Sequence, residues 1–233
     1  MSSFLFGFLV AFQADGSNEA EKLYRAFSEK LEAAKTLKVV YQAFNEEGSI
    51  ILAPGNKFCI QGKYQMDKKT EALPKVVSDG AKVAVILDEP RRNPNDESLL
   101  GSGKAPPAYA NDIRNSLKAG GYYHFQRFTG FHSWLFKKYV PLLPYTAANF
   151  QLAGKEKVGQ HPAQIIKYRL IDQVDKELML SETLWLDLKT NLPLKRVTKI
   201  WRDEEKPSIF TETYSEFAIN PKTDPKVFEL PKK

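Results

Sequence analysis

Cysteine is nearly absent: Cys59 stands alone in 233 residues, so the chain can form no internal disulfide and no cysteine-based metal cluster. Between Phe58 and Ile60 it reads as a small buried apolar side chain, not a nucleophile. Histidine is scarce too. His124, His132 and His161 are widely spaced, with no HExxH or other compact pairing to acids that would hold zinc. No GxSxG elbow is present. Gly101-Ser102-Gly103-Lys104-Ala105 has neither the earlier glycine nor the Ser/Thr after lysine that a phosphate loop needs. The acids Asp203-Glu204-Glu205 fall in a predicted turn, where a solvated hairpin tip explains them. These gaps point away from enzymes, cofactors and bound metals.

A basic block is also missing. The formal charge of +6 comes from 34 Lys and Arg scattered among 28 acids, which excludes a nucleic-acid stripe. Beyond the N-terminus no stretch nears the roughly 20 apolar residues of a membrane span, so no span is expected in the mature chain.

Aromatic residues are abundant, with fifteen Phe and ten Tyr. The chain opens on Phe4–Phe12, FLFGFLVAF, followed by Gln13-Ala14 and then the polar DGSNEAE. That length fits the apolar core of an export signal cleaved near Ala14, although Met1-Ser2-Ser3 carries no basic residue and Phe12 stands where a small one is usual. The other reading is an N-terminal core element. Residues 1–14 are taken as the signal and 15–233 as one domain. No cysteine follows the apolar run to carry a lipid anchor.

From Ser17-Asn18 a helix is predicted, with Leu23, Phe27, Leu31 and Ala34 recurring at four- and three-residue steps. Short alternating strands then follow at regular spacing. Leu37, Val39 and Tyr41 share one parity, Phe58 and Ile60 another strand, and Val83 and Val85 a third. Pro54-Gly55-Asn56 and Ser78-Asp79-Gly80 read as tight turns. Asp88–Ala108 is proline- and charge-rich without periodicity. Beyond it, Phe128, Phe131, Leu135, Tyr139 and Leu142 form a stripe at helical spacing near Trp134; with the preceding loop this makes an insert over residues 88–149. From Phe150 the strands resume, interrupted by a turn-rich GKEKVGQHP. Leu184, Leu186 and Leu188 share one parity, and Val227–Leu230 forms a last short strand. The pattern is a mainly β, curved antiparallel sheet with helices over its concave face. Those helices either fill the concavity as core or leave room for a ligand.

The order of these segments resembles the periplasmic lipoprotein-localisation factors and the outer-membrane lipoprotein-sorting proteins. The resemblance rests on LKVVYQAF, Asn56-Lys57-Phe58, Val77-Ser78-Asp79-Gly80, TLWLDLKTNLPLKR (Thr183 to Arg196), ETYSEFAINP and the closing VFELP. It covers residues 18–87 and 150–231. It implies an unclosed half-barrel of about eleven strands with short helices plugging its mouth. It also implies non-enzymatic binding and periplasmic transport of lipoprotein acyl chains, or another lipid, in a hydrophobic concavity. The partners would be a lipidated protein or lipid, with membrane-bound donor and acceptor proteins, and the carrier a monomer.

On this resemblance the concavity is lined by Leu37, Val39, Tyr41, Phe58, Ile60, Val83 and Val85. Phe128, Phe131, Trp134 and Leu135 form the lid. Two departures bear on the client: Pro54 stands where the carriers have an arginine shortly before the Asn-x-Phe turn, and Asp88–Tyr145 has no counterpart. The alternative is an envelope sensor or protein-interaction module on the same scaffold, with an uncharacterised enzyme a third reading.

Overall fold

The computed structural model describes residues 9–43, 45–66, 69–86, 103–104, 145–172, 179–201 and 206–230. One helix, α1 (Leu9–Glu32), precedes strands β1 (Leu37–Ala43), β2 (Glu46–Ala53), β3 (Lys57–Met66), β4 (Lys69–Asp79), β5 (Lys82–Ile86) and β6 (Gly103–Lys104). Then come β7 (Tyr145–Val158), β8 (His161–Asp172), β9 (Met179–Asp187), β10 (Pro193–Trp201) and β11 (Ser208–Ile219). Strand order is β6-β5-β4-β3-β2-β1-β11-β10-β9-β8-β7, antiparallel wherever a register is defined, and β6 and β7 do not meet to close a barrel. The mainly β, unclosed antiparallel sheet expected from the sequence is therefore present. Its expected second helix, carrying the aromatic stripe, lies outside the described residues.

The chain divides into two compact units. The first comprises Met1–Glu29 and Phe136–Thr211. In it Tyr24 of α1 packs on the rings of Phe150 and Tyr168, 5.0 and 4.8 Å away. The buried stripe of α1 is Ala20, Tyr24, Phe27 and Leu31; Leu23, assigned to that stripe by spacing, is only half-buried. The helix also starts upstream of the predicted Ser17-Asn18. Its backbone ladder continues through Gly16, whose cost of about 1 kcal/mol in a helix interior is insufficient to end it.

The WLDLKTNLP segment builds the β9–β10 turn. Oδ1 of Asp187 accepts hydrogen bonds from the backbone N–H of Lys189 and Thr190 and from the Thr190 hydroxyl. Burial pushes the Asp187 carboxyl up, but those bonds from Thr190 and Lys189, together with His161, outweigh it and hold the group below the usual carboxylate range. Asn191, with φ of 56°, donates its amide to the Leu23 carbonyl of α1. Leu188, assigned to the leucine face, instead sits in this turn and is exposed.

Two further strand ends differ from expectation. GKEKV, predicted as turn, is strand: β7 runs to Val158, and Asn149 and Gly154 at positive φ mark two bulges that let this edge strand continue. The turn shrinks to Gly159-Gln160. Bulges with lysines also protect a sheet edge from pairing with other chains.

The second unit comprises Lys30–Leu135 and Glu212–Lys233. Strand β4 runs from Lys69 to Asp79, and a register shift against Ile60 and Gly62 absorbs Pro74, which can donate no ladder hydrogen bond. The predicted strand at Val227–Leu230 is instead a 3-10 turn, Pro225–Phe228, capped by the Asp224 carboxylate. It covers a small cluster of Ala53, Cys59, Val77 and Phe228. Burial there pushes the Cys59 thiol up, only partly offset by Lys75, so it stays protonated and inert. Asn220, at φ of 55°, accepts from the backbone N–H of Lys35 and Thr36 and fastens the end of β11 to the start of β1.

The Ser78-Asp79-Gly80 turn carries its own locks. Asp79 Oδ1 accepts from the N–H of Ala81 and Lys82, and Ser78 Oγ accepts from Gly80 N–H. Gly80 sits at φ of 100°, and a Cβ there would lie 2.3 Å from the Gly55 carbonyl oxygen of the neighbouring turn. Gly80→Ala is expected to cost about 2–3 kcal/mol, combining backbone strain with displacement of that carbonyl. A urea midpoint that falls with an unchanged slope would show it, and an unchanged midpoint would refute the turn–turn contact.

Candidate functional site

Cross-strand register sorts the second unit's side chains by face, because directly paired residues of an antiparallel ladder point the same way. Leu37 pairs with Leu52, Leu52 with Phe58, Phe58 with Ser78 and Ser78 with Val83. The next row runs Val39, Ile50, Ile60, Val76 and Val85. Six of the seven strand residues chosen from the sequence thus occupy adjacent rows on one face, and Val85 is the register partner of Val76. Leu37, Val39, Phe58, Ile60 and Val83 are buried, and Tyr41 is at the limit of burial; the Val85 side chain lies outside the described residues. Phe128, Phe131, Trp134 and Leu135 of the expected lid also lie outside them.

The third row changes character. Tyr41 pairs with Gly48, which pairs with Gly62, so two strands contribute no side chain. The Tyr41 ring fills that space: a Cβ on Gly48 would lie 2.7 Å from the Tyr41 hydroxyl oxygen. On the other side Tyr41 pairs with Tyr214. The two phenols donate to the Glu46 and Glu212 carboxylates. Two rows that are apolar but for the buried Ser78 therefore end at a rim of tyrosine and glutamate. Sequence reasoning found Tyr41 but missed Gly48, Gly62, Tyr214 and the two acids. Isolated glycines inside strands were the available signal.

The opposite face of the same strands carries an open cleft of about 790 Å³, lined by Gln42, Ser49, Gln61, Lys63, Thr70 and Ser215 among others. Its amide, hydroxyl and ammonium groups suit water or polar solutes, beside apolar lining from Val40, Tyr41 and Ala72.

The first unit holds a different feature, beneath α1. Tyr168, Glu182 and Thr198 form one row across β8, β9 and β10. Glu182, only 1% exposed, accepts from the Tyr168 hydroxyl on Oε2 and from Thr198 on Oε1, and its Oε1 lies 3.3 Å from Arg196 Nη1. Arg196 is 4% exposed. Sequence reasoning did not single out this buried ion pair.

No group of three or more His, Cys, Asp or Glu among the described residues is placed to hold a metal ion. His161 is exposed and lies 3.4 Å from Asp187, while His124 and His132 fall outside the described residues. Among the described residues no helix is long and apolar enough to cross a membrane.

No family model matches the sequence, and no curated protein matches it. Solved structures do. LprF from Mycobacterium bovis is 13% identical over 89% of this chain and 96% of its own, with a TM-score of 0.49. The Mycobacterium tuberculosis lipoprotein LppX is 10% identical over 88% and 98%, with a TM-score of 0.46. A LolA superfamily protein from Nitrosomonas europaea is 9% identical over 91% and 97%, with a TM-score of 0.30. In fold, the chain is similar to these proteins.

Proposed function

We propose that this protein binds acyl chains of a lipidated protein, or of another lipid, against the apolar face of β1–β5, and carries them through the periplasm without chemical change. The observation that carries this reading is the pair of apolar rows ending at the Tyr41–Tyr214 rim. An acyl chain needs a continuous hydrocarbon surface, and its ester end needs hydroxyls and water; the rows and rim supply both in that order. Each buried CH₂ contributes about 0.8 kcal/mol, so even half a chain binds measurably. Export fits the same reading. Cleavage near Ala14 leaves Asp15–Glu32 as the helix of the mature domain, residues 15–233.

Native mass spectrometry of protein purified from the cell envelope tests it. A lipid adduct, or saturable binding of an acylated peptide, is expected. Protein that is always empty and ignores the acylated peptide would end the proposal.

A further inference from the structure

The first unit's sheet has a second face, turned away from Tyr168 and α1. Ile171 and Trp201 both pair with Met179, which sets them in one row at the strand ends. Ile171 is 45% exposed and Trp201 half-buried. Beside β10, the start of β11 presents Ile209 and Phe210 at this same strand end, both more than half exposed and, as neighbours in a strand, turned to opposite faces. Four large, partly or mostly exposed apolar residues gathered at one end of neighbouring strands mark that end as a candidate contact surface.

The rows behind them are basic. Arg169 pairs with Ser181 and Ser181 with Lys199, and one row further in Lys167 pairs with Thr183. Lys167, Arg169 and Lys199 are exposed, and none forms an ion pair with a described residue. At two residues per row the cations lie roughly 7 and 13 Å behind the apolar edge. Beyond them the face is sealed: Trp185 is buried, with Lys195 Nζ 4.4 Å over its ring and Glu156 accepting its indole N–H.

We propose that this end of the sheet docks on an anionic phospholipid bilayer. Ile171, Trp201, Ile209 and Phe210 enter the interfacial layer, where tryptophan and other large apolar side chains partition, and Lys167, Arg169 and Lys199 meet the headgroup phosphates. The connections 173–178 and 202–206 carry both signs and are net acidic in sequence. The attraction must therefore come from the three cations of the sheet face. Docking there is independent of acyl binding in the second unit, and it would bring a carrier to the surface where lipid is collected or delivered.

The test is co-sedimentation of the full chain with vesicles of phosphatidylcholine alone and of phosphatidylcholine with phosphatidylglycerol. The parent is expected to prefer the anionic vesicles and to be released by high salt. Replacing Lys167, Arg169 and Lys199 together by serine should weaken that binding on the order of 100-fold, about fivefold per charge. Ile209→Ser with Phe210→Ser should weaken binding to both vesicle types. All five positions are exposed, so circular dichroism and thermal midpoints should be unchanged. Equal binding of the parent to neutral and anionic vesicles would overturn the proposal, as would a triple variant that binds like the parent. A parent that ignores vesicles but is captured by polyglutamate would overturn it in favour of an acidic protein partner. Acylated-peptide binding, read on the same variants, should not move; its absence in the parent would remove the carrier reading and leave the docking result standing.

Discussion

Glu182→Ala is expected to destabilise the protein by about 3–5 kcal/mol, because it leaves the Arg196 guanidinium buried beneath α1 without its carboxylate. The loss exceeds that of a surface ion pair, which is worth at most about 1 kcal/mol, since water cannot take over the role of the missing partner. Glu182→Gln should cost less. The amide keeps one acceptor oxygen, and the hydroxyl that meets its NH2 group can turn to accept instead of donate, so the main loss is the charge. Replacing both charges with Glu182→Leu and Arg196→Met should recover much of the loss, because two desolvated ions are exchanged for hydrocarbon of similar volume. A double-mutant cycle by urea denaturation reads all three outcomes. A single-variant loss under about 1 kcal/mol would mean that water reaches the pair and that α1 does not seal it. Tyr24 offers a local readout, since its ring stands 4.8 Å from that of Tyr168 and its packing should loosen with the pair.

The pair shows where sequence reading stopped. In β9, Leu180, Glu182, Leu184 and Leu186 share a parity, and all four are buried. The alternation thus marked Glu182 as inward, but an acid among leucines reads as a break in the pattern unless its partners are known. Those partners sit on neighbouring strands, and register is a tertiary fact. The same limit explains β7, where GKEKVGQHP suggested a turn and a bulge at Gly154 let the strand continue.

Parity, in contrast, was legible in the second unit. Leu37, Phe58, Ile60 and Val83 sit among polar or small neighbours, and Val39 and Tyr41 share the parity of Leu37 although Val40 between them is apolar; all of them prove buried or at the limit of burial. The motifs that carry the family resemblance have a plain physical role: Asp79, Asp187, Asn191 and Asn220 each fasten a turn or a junction. They specify the scaffold. The residues that would meet a ligand are ordinary aliphatics and aromatics, which is why sequence motifs speak to fold more clearly than to client.

Phe58→Ala should therefore separate a filled face from one that a ligand fills. Phe58 is fully buried on the first apolar row, and its truncation should cost about 3–5 kcal/mol. If that face is only core, the loss is permanent and an acylated peptide changes nothing. If the face receives acyl chains, peptide at about 100 times its dissociation constant should add about 2.7 kcal/mol to parent and variant alike. The variant should gain further when its chain is longer, since the deleted ring leaves room for additional methylenes. Phe228→Ala is the matching control. Its side chain is buried in the cluster on the opposite face, so truncation should lower stability in the same way while leaving the response to acylated peptide unchanged. Thermal or urea midpoints measured with and without peptide give the answer. Identical midpoints with and without peptide in the parent would assign the two apolar rows to packing alone. A peptide response lost in the Phe228 variant but kept in the Phe58 variant would place the lipid on the wrong face of the sheet.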